Sequence, residues 1–236
     1  MSSTRQLKSR IRSVSNTKQI TKAMQLVAAS KMRRAQEATK ASAPYVSVAN
    51  ELLKTLAAHG ATDNHPLFVR RKVRKRLIIF IAADKGLAVA YNANVFKKYL
   101  ALLNRDDERG IENLTVAVGR KAAQFASRLK DTTVVGTYED LADRPSSIDF
   151  HAILNQATSM YEHHEVDVVT LVYTNFMSSM TQTAEWMRLL PAGTDVASDP
   201  AEGPVSLEEA KYEPNAEEVL SAVAYRMVGA MVLQAL

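Results

Sequence analysis

Apolar positions in the first quarter of the chain recur at helical spacing in a narrow stripe. Leu7, Ile11 and Val14, then Ile20, Met24 and Val27, then Ala28, Met32 and Ala35 stand three, four or six residues apart among cations, which is the period of one slowly drifting helix face. No Gly or Pro interrupts this run before Pro44. The pattern resumes at Val48, Leu52, Leu53 and Leu56, and His59-Gly60 offers a stop. A single helix of about 55 residues, roughly 80 Å long, is predicted. So long and thinly apolar a helix cannot bury itself in its own domain and has to lie against something else.

Beyond a basic run at 70–76 the period changes. Residues 77–82, Leu-Ile-Ile-Phe-Ile-Ala, read as a short strand buried on both faces. Asp84-Lys85-Gly86 turns the chain. A helix at 93–104, a strand at 114–118, a helix at 120–130, a short strand at 133–135, a helix at 150–163 and a strand at 166–173 follow. An extended piece at 180–190 is placed antiparallel beside the last strand. Strands alternating with helices of ten or so residues predict a small α/β domain with a mostly parallel sheet. The connection 191–214 is turn-rich, with Gly193, Pro200, Gly203 and Pro204. Asn215 then caps a helix at 216–236 with apolar-phase positions Val219, Leu220, Val223, Met227, Ala230, Met231 and Gln234. The expected organisation is terminal helices at 1–60 and 215–236, a basic linker at 61–75, the α/β domain at 76–190 and a connecting loop at 191–214.

Charge sharpens the picture of the first helix. Residues 1–76 hold 17 Lys and Arg against three acids, a net of +14, while the rest holds 13 against 22, a net of −9. Such asymmetry under a total of +5 points to a large acidic partner at the N-terminal end: nucleic acid, an anionic membrane surface or a protein. With no cysteine, disulfides and thiolate chemistry are excluded. No apolar run reaches the about 20 residues that span a bilayer. The start is rich in Ser and Arg, as transit peptides are, but its helical pattern runs far past a cleavable length.

Catalytic candidates fail one by one. The turn after the first strand has only Gly86 where a dinucleotide fingerprint needs three glycines. Gly119-Arg120-Lys121 opens a helix and could meet an anion, but the rest of a phosphate loop is missing. His163-His164, flanked by Glu162 and Glu165, reads as a hydrophilic helix end, since adjacent helical residues point about 100° apart. Asp84, just past a strand, reads as a turn cap. The basic run 70–76 lacks interleaved aromatics to stack bases and reads as exposed charge in a solvated linker. No catalytic, cofactor-binding or metal-binding residue is expected, and no cofactor. What remains is binding: along the first helix Lys18, Lys22 and Lys31 alternate with Met24, Val27, Ala28 and Met32, small and flexible residues suited to being gripped by protein.

Residues 20–36, Ile-Thr-Lys-Ala-Met-Gln-Leu-Val-Ala-Ala-Ser-Lys-Met-Arg-Arg-Ala-Gln, closely resemble the N-terminal helix signature of the gamma subunit of F-type ATP synthases. Asp84-Lys85-Gly86-Leu87 with Tyr91-Asn92 resembles that family's turn after its first strand, and Tyr212-Glu213-Pro214 resembles the entry to its C-terminal helix. The order of elements matches along the chain. The resemblance implies an antiparallel coiled coil of the N- and C-terminal helices plus a small Rossmann-like α/β domain. It implies a rotor: a central stalk turning inside the ring of catalytic alpha and beta subunits, with the epsilon subunit and the membrane c-ring as further partners. It would couple proton or sodium flow to ATP synthesis or hydrolysis without itself being catalytic, as a peripheral protein on the cytoplasmic face of the bacterial cell membrane. On family grounds Lys18, Lys22, Met24, Val27, Lys31, Arg33 and Arg34 face the catalytic ring, and Tyr212 and Glu213 face the membrane ring.

Two departures stand out. The family's turn is usually glycine-rich, whereas Ala88, Val89 and Ala90 occupy it here. The family's C-terminal helix runs on for several turns past the position of Leu236 to a tip with its own Thr and Glu signature. The expectation is therefore a truncated or incomplete gamma subunit, whose helix of about 21 residues covers only the part of the first helix near 37–56. The alternative is a basic helical nucleic-acid-binding protein, marked by a steep loss of affinity with salt. A Rossmann-type enzyme ranks third, for want of the glycines.

Overall fold

The computed structural model describes residues 3–58, 65–86, 88–130, 132–141, 148–178, 180–192 and 216–236, without side-chain detail at 38–58, 148–149 and 216–217. Two compact units divide the chain, Met1–Ser47 and Val48–Leu236.

From Thr4 on, the first unit is a single helix. Helix α1 spans Thr4–Ala58. Ser3 starts it through a capping box: the Arg5 amide donates to Ser3 Oγ (3.3 Å) and the Ser3 amide donates to Gln6 Oε1 (3.3 Å), so two orphan amides are satisfied reciprocally. Thr17 and Thr21 are poor helix formers that return their hydroxyls to carbonyls one turn back, Ser13 and Thr17, each at 3.0 Å. Helix α1 passes through Pro44, which has no amide to donate to the carbonyl four residues earlier. The boundary between the compact units falls one turn later.

The second unit is a sheet wrapped by helices. Strands β1 (Lys75–Ile81), β2 (Glu112–Val118), β3 (Thr133–Tyr138), β4 (Val168–Phe176) and β5 (Gln182–Leu190) lie in the order β3-β2-β1-β4-β5. All neighbours are parallel except β4 and β5, which pair antiparallel. The expected antiparallel extended piece is thus β5. Helices α2 (Val89–Asp107) and α3 (Arg120–Ala126) cover one face, and α4 (Ile148–Glu162) and α5 (Ala216–Ala235) cover the other.

Strand β1 shows why its sequence is a continuous apolar run. Leu77, Ile79 and Ile81 enter the α4/α5 core with Val116, Leu171 and Ile153, while Ile78, Phe80 and Ala82 enter the α2/α3 core with Val95, Tyr99 and Leu102. Period-two alternation with both faces covered leaves no position for a polar residue in the middle of the strand. Phe80 stacks on Tyr99 with ring centroids 4.2 Å apart.

Helix α2 and strand β3 are longer than the expected 93–104 and 133–135, and two further elements depart from expectation. The helix expected at 120–130 ends at Ala126. There Ser127 Oγ donates to the Gln124 carbonyl, and the amides of Arg128 and Leu129 bond three residues back, which tightens the last turn. In α5 the buried positions with described side chains are Leu220, Ala224, Met227, Val228, Gly229, Val232 and Ala235, while Gln234 is exposed. The face expected to include Ala230 and Gln234 is therefore rotated, because α5 packs on α4. Tyr225 donates to Asn155 Oδ1 (2.7 Å), and a Cβ on Gly229 would come within 3.1 Å of Leu154.

Candidate functional site: a cationic helix and a closed crevice

Helix α1 presents the residues expected to face a ring. Every described side chain from residue 3 to residue 35 is exposed, Met24 at 48% and Val27 at 59%. At about 100° per residue, Met24, Val27, Lys31 and Arg34 fall within roughly 80° of one another. Lys18, Lys22 and Arg33 fall within roughly 60° on the other side of the helix. The seven expected contact residues thus make two faces rather than one. Arg33 pairs with Glu37 at 3.1 Å, and Arg34 Nη2 reaches Ser30 Oγ at 3.4 Å. Tyr212 and Glu213 lie outside the described residues.

In a doubly wound sheet a ligand sits beyond the carboxyl ends of the strands, and here that region is filled from within. The carbonyl of Ala82 approaches so near Gly119 that an added Cβ would lie 2.0 Å from it, and Gly119 has φ +93°, so only glycine fits. The first amide of α3, on Arg120, is taken by Asp84 Oδ1 at 3.0 Å. The anion that Gly119-Arg120-Lys121 could meet is therefore the chain's own carboxylate. Asp84 caps, as expected, but it caps a helix 36 residues away. The side chain of Asn92 returns to the Ala83 amide at 3.1 Å, and Arg120 is held by Glu139 at 2.9 Å. Strand β4 runs into the β5 hairpin, so no helix follows it to offer an N-terminus.

His163 and His164 finish α4. His164 has φ +61°; its amide bonds Tyr161 and the Glu165 amide bonds Met160, which is the Schellman pattern. Among the described residues no group of His, Asp and Glu is placed to hold a metal ion.

The run 70–76 needs correction, since it is not uniformly solvated charge. Arg71 Nη2 donates to the Tyr161 carbonyl at 2.6 Å, its Nη1 meets His164 Nδ1, and its guanidinium lies 4.2 Å from the Tyr161 ring centroid. Asp167 accepts from the amides of Arg74 and Lys75 at 2.8 and 3.0 Å. Arg76 is buried against Asp106, Nε to Oδ2 at 2.5 Å, and donates from Nη1 to Thr170 Oγ1 at 2.6 Å. Burial there is stable only because the carboxylate and hydroxyl satisfy the guanidinium. The sequence carried a signal for this pair: Asp106 continues the α2 series Val95, Tyr99, Leu102, Leu103, and Arg76 shares the period-two phase of Ile78 and Phe80.

Four tyrosines ionise above their ordinary value, with burial as the chief cause: Tyr91, Tyr99, Tyr161 and Tyr173. Tyr173 is pushed furthest, because its hydroxyl also donates to Glu185 at 2.9 Å.

Comparison with known proteins supplies the family. The sequence profile of the ATP synthase family matches residues 3–236. The ATP synthase gamma chain of Neisseria gonorrhoeae is 36% identical over 233 residues, covering 98% of this chain and 80% of that one. The gamma chain of Ralstonia nicotianae is 35% identical over 240 residues, covering 100% and 81%. Among solved structures, the central stalk/c-ring of the Tetrahymena thermophila mitochondrial ATP synthase shares the fold, with a TM-score of 0.59 at 21% identity over 92% of this chain and 90% of that chain. On the length and identity of these matches, the chain belongs to the ATP synthase gamma-chain family.

Proposed function

We propose that this chain is the central-stalk rotor subunit of an F-type ATP synthase, coupling ion flow through a membrane ring to ATP chemistry in a catalytic ring, and itself non-catalytic. The observation that carries this reading is α1: a helix of 55 residues whose described cations and apolar side chains up to residue 35 are exposed. In the rotor those residues turn against the loops of the alpha and beta subunits. Exposed ion pairs are worth about 0–1 kcal/mol each, weak enough to exchange as the shaft turns. Two contact faces, one led by Met24, Val27, Lys31 and Arg34 and one by Lys18, Lys22 and Arg33, suit a shaft surrounded on all sides.

The remaining parts follow from the same reading. Residues 1–60 and 215–236 supply the shaft as an antiparallel coiled coil, and Tyr212 and Glu213 approach the membrane ring. The epsilon subunit binds the stalk. The chain is peripheral on the cytoplasmic face of a bacterial cell membrane; among the described residues no helix is long and apolar enough to cross one. The relatives give no support to the nucleic-acid alternative.

The test is reconstitution with the alpha, beta, epsilon and membrane subunits of the same source. The chain should co-purify with the ring and support ATP-driven ion pumping. Lys22→Gln and Lys31→Gln should leave assembly intact and change turnover modestly. Met24→Lys adds a charge where the ring is closest and should lower ions pumped per ATP. Failure to co-purify, or normal coupling in Met24→Lys, would overturn the assignment of α1.

A further inference from the structure

The amino-terminal ends of β1 and β4, opposite the filled crevice, gather arginines. Arg76 on β1 donates to Thr170 on β4, and Thr170 stands opposite Arg188 on β5. Two residues along β5, Trp186 lies under the guanidinium of Arg105, 4.7 Å from the ring centroid. Arg105 precedes Asp106 in α2, and Arg109 follows one helical turn later. Arg76 and Arg105 thus reach one carboxylate, Asp106, and Arg109 and Arg188 lie near enough for their charges to act on Arg105.

That carboxylate is already committed. Asp106 is fully buried, with Arg76 Nε at 2.5 Å from Oδ2, Arg76 Nη2 at 3.3 Å from Oδ1 and Arg105 Nη2 at 3.8 Å from Oδ1. Among the described residues no carboxylate pairs with Arg109 or Arg188, both of which are exposed. Arg105 Nε is buried without an acceptor among the described residues, and a buried donor left unmet is costly. Burial lowers the Arg105 guanidinium from its ordinary value, against the pull of Asp106, and the fields of Arg76, Arg109 and Arg188 push the same way. Like charges held together favour an added anion.

We propose that Arg105, Arg109 and Arg188 form a binding site for the phosphate group of a phosphorylated ligand. Guanidinium forks match oxyanions bidentately. A single carboxylate, held through both oxygens by Arg76, cannot serve three further forks, which call for an anion with more oxygens and more charge. Phosphate has both. Arg109 and Arg188 form the open side, Arg105 the inner wall, and Lys98, whose Nζ lies 4.4 Å from the Trp186 ring centroid, extends the positive surface along α2. The site involves none of the α1 residues, so it stands or falls apart from the rotary reading.

Trp186 is the only tryptophan and touches Arg105, so its fluorescence reports occupancy in the full chain. Inorganic phosphate and pyrophosphate are titrated against chloride of matched ionic strength, with vesicles of phosphatidylglycerol or phosphatidylcholine in parallel and calorimetry as a second readout. A saturable response is expected, with pyrophosphate tighter than phosphate. Arg109→Gln and Arg188→Gln, at exposed positions that leave thermal unfolding unchanged, should each weaken it about tenfold. Response to soluble phosphates assigns the ligand to solution; response to phosphatidylglycerol vesicles alone assigns it to a lipid headgroup. Either supports the site. Equal response to chloride, no heat and no fluorescence change with any phosphate, unaltered affinity in both variants, or binding of polyglutamate in preference to phosphate would each overturn it.

Discussion

Removing one half of the buried pair should expose how much the α/β domain depends on it. In Arg76→Met the Asp106 carboxylate, with no solvent exposure, loses the guanidinium that meets both its oxygens. A buried carboxylate left without its partner costs about 3–5 kcal/mol. Arg105 Nη2, 3.8 Å away, remains as a partial partner, so the lower end of that range, about 3 kcal/mol, is expected. Arg76→Met/Asp106→Leu removes both charges and should recover most of the loss. Urea unfolding followed by Trp186 fluorescence at pH 7 measures both variants against the parent. A loss under about 1 kcal/mol, or a double variant as unstable as the single, would refute the reasoning.

Gly119→Ala places a Cβ 2.0 Å from the Ala82 carbonyl at φ +93°; it should lower stability by more than about 2 kcal/mol in the same unfolding assay, whereas Gly110→Ala, with φ +66° and open space, should cost less. The raised pKa values of Tyr91, Tyr99, Tyr161 and Tyr173 keep their stabilisation intact below about pH 10 and withdraw it as pH rises further. Stability should therefore fall above pH 10, with a shallower fall in Tyr173→Phe, followed by circular dichroism and by tyrosinate absorbance. In the isolated chain, amides in residues 6–35 of α1 should exchange hydrogen much faster than those of β1, and slow once the helix is inside a catalytic ring; equal protection in the free chain, read by mass spectrometry, would contradict an α1 that depends on outside contacts.

Some of this protein was written in its local pattern. The cation-studded run without Gly or Pro up to Pro44 is α1, because a helix depends on residues within four positions of one another. Leu77 to Ala82 announced a strand covered on both faces, and the extended piece near 182–190 did pair antiparallel with β4. The motif at 20–36 was long enough to indicate the family before any geometry. Other features depended on which strands became neighbours. Asp84 and Arg120 are 36 residues apart, and Arg76 and Thr170 are 94 apart. Only the order β3-β2-β1-β4-β5 brings them together, so the capping of α3, the closing of the crevice and the burial of Arg76 could not be read from spacing. The same holds for α5, whose apolar residues permit several faces; contact with Leu154 and Asn155 on α4 selected one. Periodicity records what each segment can bury, while the tertiary fold decides which charges lose their water and must therefore find each other.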